Sequence, residues 1–194
     1  MLKIGITGGI GSGKTIVCSV FQNLGIPIFN ANNQAKSLLH NKDVIEFYKH
    51  EFGDEVFSGL SIDKTKLAKL IFNNSEALHK VNSFIHPLVY RLFDEWCLLQ
   101  RDKPYVINEA ALLFETQGYK RLDFTILVVA PVEIRIKRVM QRDSSGIEDI
   151  KARMDKQLND EQKMKLANYI IENNDSELLL PSILNLHSNF LKMK

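Results

Sequence analysis

Only two cysteines occur among the 194 residues, Cys18 and Cys97. They stand far apart and have no Cys-x-x-Cys or Cys/His companions, which excludes a disulfide framework and a structural zinc site. An excess of either charge is lacking as well, since 25 Lys+Arg against 23 Asp+Glu leave only +2. So small a net charge does not suit a protein that coats nucleic acid or an anionic membrane. No apolar run reaches about 18 residues, so no membrane-spanning helix is expected. Internal repeats and low-complexity tracts are also missing. The first apolar stretch is broken almost at once by glycines, so no signal peptide is expected, and a cytoplasmic enzyme is. What the chain does have is 45% hydrophobic residues, enough for one folded core without disulfide or metal staples.

Ile4 to Thr7 reads as a buried strand. Val17, Val20, Phe21 and Leu24 then recur as one helix face, and Gly25 sits where a C-terminal cap belongs. Ile26 to Phe29 reads as a second strand, and strand, helix, strand in so short a span implies a parallel sheet. Strand-like runs return at Tyr105 to Asn108, Thr125 to Val129 and Tyr169 to Ile171. Helical spacing marks Val132 to Arg142 and Glu148 to Leu158, with a break at Ser144-Ser145-Gly146. From Ser75 to Arg101 apolar residues keep helical spacing, and Pro87 is expected to split that stretch into two helices.

Between the first strand and the first helix lies Gly8-Gly9-Ile10-Gly11-Ser12-Gly13-Lys14-Thr15, a full match to G-x-x-x-x-G-K-[ST] in the context it requires. Glycines let the backbone curl so that successive N–H groups point at phosphate oxygens, and the helix adds its positive end. Lys14 is expected to reach the β- and γ-phosphates and Thr15 to ligate Mg²⁺. The ATP site is read as Gly9, Ile10, Gly11, Ser12, Gly13, Lys14, Thr15 and Ile16.

Such a loop serves kinases, switches and motors alike. A GTPase switch is disfavoured, because Asn41-Lys42 comes too early and Asp143-Ser144-Ser145-Gly146 too late. Of seven arginines, four (Arg135, Arg138, Arg142, Arg153) fall close together. Arg138 and Arg142 share a helix face, and arginine suits a planar grip on phosphate oxygens. With Gly146 as a break, this segment reads as a lid that excludes water. The expected architecture is α/β: a three-layer P-loop kinase fold with a five-stranded parallel sheet. Its core covers 1–32, 103–135 and 159–194, with a helical acceptor insertion at 33–102 and a lid at 136–158.

The motif Thr7 to Thr15, Leu24-Gly25-Ile26-Pro27, His86-Pro87, Leu112-Leu113-Phe114-Glu115, Gln141-Arg142-Asp143, Arg153 with Gln157, and Asn173 together resemble the dephospho-coenzyme A kinase family. The resemblance runs along nearly the whole chain. It implies transfer of the ATP γ-phosphate to the ribose 3′-hydroxyl of dephospho-CoA, with Mg²⁺, as the last step of CoA synthesis. It also implies acceptor contacts from Thr7, Asn32, His86, Leu112 and Glu115, and lid charge from Arg142 and Arg138. ATP and dephospho-CoA are the expected partners, with the protein a monomer or weak homo-oligomer.

The chain departs from that pattern just after the second strand. The family carries Asp-x-Asp there, the second aspartate being the expected base, and this chain reads Asn30-Ala31-Asn32. An amide cannot take a proton at neutral pH. Three readings follow: Asn32 only positions the hydroxyl; Glu109, where a Walker-B acid belongs, serves Mg²⁺ or acts as base; or the chain binds nucleotide or CoA without turnover. A kinase for another nucleoside-type acceptor is a further alternative. Asn168 likewise stands where the family has aspartate, in a chain with fifteen asparagines. His86 reads as a helix-start cap or a substrate contact. Phe72, Phe84, Phe93 and Trp96 read as packing of the insertion, and Cys18 as a buried packing residue.

Overall fold

Five short strands rich in β-branched residues run side by side, all parallel, in the order β2-β5-β1-β6-β7. They are β1 (Leu2–Thr7), β2 (Ile28–Asn30), β5 (Tyr105–Glu109), β6 (Phe124–Val129) and β7 (Tyr169–Glu172). The structure, a computed structural model, describes residues 1–144 and 146–193, apart from the side chains of Phe72 and Asn73. The packing expected of Phe72, and the Ser145 part of the expected break, lie outside the described residues. The chain divides into two compact units, Met1–Asn30 with Cys97–Lys194, and Ala31–Trp96.

The first unit holds the sheet. Helix α1 (Lys14–Asn23) and the C-terminal helix α9 (Leu179–Lys192) cover one face. There Ile4, Ile6, Tyr105, Ile107, Ile126 and Val128 meet Val17 and Phe21 of α1 and Ile183, Leu186 and Phe190 of α9. On another face Leu127 and Val129 pack with Phe114, Leu158 and Ala167. A parallel sheet covered on both sides needs nearly continuous apolar strands, which is why these runs stand out in the sequence. It also gathers all five carboxyl ends at one edge. Gly25 ends α1 with φ 81°, the left-handed conformation glycine adopts without strain. Cys18 and Cys97 are both buried and unbridged.

The arginine-rich segment forms α6 (Val132–Asp143) and α7 (Ile147–Met154), followed by α8 (Asp160–Met164). Helix α7 stops short of Leu158, and Asn159 with Gln162 forms a capping box that starts α8. The break differs from the expectation in which residue bends. Gly146 has ordinary extended backbone (φ −68°), while Ser144 takes the left-handed conformation at φ 53°.

The second unit contains α2 (Ala31–Ser37), α3 (Lys42–Phe52), a hairpin of β3 (Phe57–Ser58) and β4 (Ser61–Ile62), α4 (Lys64–Asn73) and α5 (Ser75–Leu98). Asn41 and Asp63 cap α3 and α4 by accepting backbone N–H bonds. Pro87 does not split α5, which runs 24 residues through it. Proline removes one ladder bond, but Val81, Ile85, Val89 and Phe93 form an uninterrupted buried stripe that holds both halves in line. Phe84 stacks on Phe47 at 3.9 Å, as packing of the insertion requires. Among the described residues no helix is long and apolar enough to cross a membrane.

Candidate active site

The loop between β1 and α1 stands at the carboxyl edge of the sheet. Helix α1 begins at Lys14 with no side-chain cap and no acid in its first turn, so its N–H groups and positive end stay open to an anion. Gly13, at φ 95°, precedes it, and a Cβ there would lie 2.0 Å from Asn173 Nδ2. A Cβ on Gly9 would lie 2.5 Å from Arg135 NH1. These glycines are therefore required by close approach as well as by backbone curl.

Four side chains from distant segments hold the loop. Asn173 Nδ2 donates to Ser12 O at 2.8 Å. Arg138 donates to Gly11 O, to Asn173 O and Oδ1, and to Asp175. Arg135, 6% exposed, lies against Gly9 and is fixed by Asp160. Gln157 accepts the Ile10 N–H at 2.9 Å and donates to Ala111 O at 3.3 Å, tying the loop to the turn after β5. Thr7 Oγ1 and Ser12 Oγ are buried without a hydrogen-bond partner among the described residues.

Lys14 Nζ donates to Gly8 O at 2.8 Å and Gly9 O at 3.2 Å. Burial pulls its ammonium down to about 8, against the opposing attraction of Glu109. A phosphate beside Nζ restores the charge, so above pH 8 ATP binding must take up a proton there. At pH 9 roughly one proton should be absorbed, and affinity should fall about tenfold from its value at pH 7. Titration calorimetry in buffers of different ionisation enthalpy measures this uptake, and Lys14→Met should remove it.

Glu109 ends β5, 6% exposed, in register with Asn30 at the end of β2. Burial raises its carboxyl, while Lys14 and a hydrogen bond donated by Asn30 Nδ2 oppose the rise. Thr15 is exposed in the first turn of α1. Its hydroxyl is a hard oxygen donor that suits magnesium. Among the described residues no three His, Cys, Asp or Glu come together as a metal cage. An ion held by one protein oxygen and the nucleotide phosphates fits this donor set.

Arg138 and Arg142 share a helix but not a task. Arg142, with its side chain 61% exposed, forks onto Asp143, which also accepts from Arg153. The two guanidinium groups, Arg142 first, hold the Asp143 carboxyl well below the usual carboxylate range. Glu115 turns to Leu158 N at 3.0 Å and to the fully buried Lys163 at 3.2 Å. Its Oε1 thus braces both neighbours. Leu112 is 36% exposed beside it in the chain. Asn168 Oδ1 accepts from Thr125 N and Oγ1.

In the helical unit, Asn32 lies exposed on α2. His86 lies half-buried inside α5, where burial lowers its imidazole and favours the neutral form. Since α5 runs through Pro87, His86 is not a cap. Lys163 had no sequence signal. Asn173 and Gln157 were visible only through motif resemblance, because their contacts span 161 and 147 positions.

A family model described as dephospho-CoA kinase matches residues 2–178. A dephospho-CoA kinase from Bacteroides fragilis is 36% identical over 186 residues, covering 95% of this chain and 91% of that protein. The crystal structure of TT1252 from Thermus thermophilus superposes with a TM-score of 0.85 at 36% identity, covering 99% of this chain and 97% of that one. The dephospho-CoA kinase from Campylobacter jejuni has a TM-score of 0.70 at 27% identity, covering 98% and 97%.

Proposed function

The chain belongs to the dephospho-CoA kinase family, and from that premise we propose that it phosphorylates the ribose 3′-hydroxyl of dephospho-CoA with ATP. The bond from the 3′-oxygen to the γ-phosphorus forms as the bond to the β,γ-bridging oxygen breaks. ADP departs and CoA is the product. The observation that carries the reading is the phosphate loop braced by Asn173 and Arg138, with Lys14 bonded to the loop's own carbonyls and attracted by Glu109.

In this reading residues 9 to 16 hold ATP, Lys14 reaches the transferring phosphoryl group, and Arg138 keeps the loop in shape. Arg142 and Arg153 add lid charge once nucleotide competes for them with Asp143. Thr15 would hold the magnesium ion, which when bound neutralises charge on the phosphates. Thr7, Asn32, His86 and Leu112 are assigned to the acceptor. Asn32 orients its hydroxyl, and the released proton passes to Glu109, whose buried carboxyl is the more basic for its burial.

Pure protein given ATP, dephospho-CoA and magnesium should form ADP and CoA in equal amounts. Calorimetric binding of both ligands with no product would select a non-catalytic binding protein instead. Turnover only with other nucleoside acceptors would replace the substrate. Asn32→Asp supplies a carboxylate where the family carries one and should raise turnover by up to about 10²-fold. No rise would leave Glu109 as the sole proton acceptor.

A further inference from the structure

The chain's departures from aspartate are not alike, and the difference lies in which end of each amide is bonded. Asn168 uses its oxygen, toward Thr125 N and Oγ1. A carboxylate would accept both bonds equally well. Asn30 uses its nitrogen: Nδ2 donates to Glu109 Oε2, across the register pair that closes β2 and β5. A carboxylate has no such donor, and at this position it would meet another carboxylate on the adjoining strand end.

Among the described residues, the charged and titratable groups acting on Glu109 are Lys14 and Cys18 from α1, with the neutral Asn30 amide from β2. One cation and one amide donor thus share a buried carboxylate. An N–H donor to a charged acceptor fixes the rotation of the carboxylate plane, which a diffuse attraction to an ammonium does not. We propose that Asn30 is a positioning residue whose amide fixes the rotation of the Glu109 carboxylate at the end of β5, so that asparagine at 30 is a required donor and not a weakened aspartate. This rests on the role assigned to Glu109 above. It also separates Asn30 from Asn32, two residues on, where a carboxylate is expected to help.

The test is a double-mutant cycle on the whole protein, read by thermal unfolding without substrates. Asn30→Asp should lower Tm by roughly 4–8 °C. Combining it with Glu109→Gln should recover most of that loss, since donor and acceptor have then changed places. Additive Tm effects overturn the pairing. Asn30→Leu, similar in size and without charge, reads the lost donor should the aspartate variant not fold.

In the kinase assay Asn30→Asp and Asn30→Leu should each lower kcat about tenfold, with KM for ATP within about twofold. Coupled unfolding with unchanged kcat in both variants, while Glu109→Gln is impaired, overturns the positioning role. If Glu109→Gln turns over like the native chain, the proton-acceptor reading of Glu109 falls. The unfolding cycle then decides the pair alone.

Discussion

Replacing Glu115 by glutamine should lower the stability of the fold by about 3–5 kcal/mol. Lys163 is fully buried and its counter-charge is Glu115, itself only 14% exposed. The 3.2 Å pair lacks hydrogen-bond geometry at Nζ, so its attraction is coulombic. Glutamine keeps the oxygen that accepts the Leu158 N–H and removes only the charge. What remains is a buried ammonium without its counter-charge and within electrostatic range of Lys14, which is far costlier than the pair is favourable. At about 2–4 °C per kcal/mol for a chain of this size, Tm should drop by roughly 6–20 °C. Removing both charges tests the cause: Glu115→Gln with Lys163→Met should recover most of the loss, because the ammonium is gone while the Leu158 N–H keeps its acceptor. Denaturant unfolding that places Glu115→Gln within about 1 kcal/mol of the native protein would sink this account.

The second large effect is on chemistry. Glu109→Gln should reduce turnover by about 10²–10⁴-fold while leaving ATP binding nearly intact. Burial makes the carboxyl more basic than an exposed glutamate, against the opposing attraction of Lys14 and the Asn30 hydrogen bond. Glutamine matches its shape and cannot take a proton. Phosphoryl transfer depends mainly on positioning and charge, which sets the lower end of that range. Steady-state kinetics with both substrates varied should place the loss in kcat. Introducing Asn32→Asp into the Glu109→Gln protein should recover part of it if position 32 reaches the hydroxyl. A Glu109→Gln enzyme with native turnover would return the proton to solvent.

Much of the sheet was legible because buried parallel strands are nearly all apolar, as in Phe124 to Val129. The phosphate loop was legible because its chemistry admits few residue types. Other features depend on contacts that no local pattern carries. Pro87 ends helices in isolation, yet here the apolar stripe on either side outweighs one lost bond. The hairpin from Phe57 to Ile62 has strands of two residues, too short for alternation to register. Helix α9 leaves a weak pattern, since Pro181, Ser182, Asn185, His187, Ser188 and Asn189 obscure the buried spacing of Ile183, Leu186 and Phe190. The arginines of α6 share one period, and only packing sorts the buried Arg135 from the exposed Arg142. The pairing of Glu115 with the buried Lys163 spans 48 positions and leaves no local pattern.

The bracing of the phosphate loop has a consequence for how the molecule is made. Residues 8 to 15 are made long before their supports, Arg135, Arg138, Gln157 and Asn173, the last 161 positions beyond Ser12. A nascent chain that has completed β1, α1 and β2 therefore owns the nucleotide motif without the scaffold that shapes it. Contacts of such long sequence separation form late, after the loop-closure entropy has been met. The loop is thus made well before the residues that brace it, and its final shape waits for Asn173 at the end of β7.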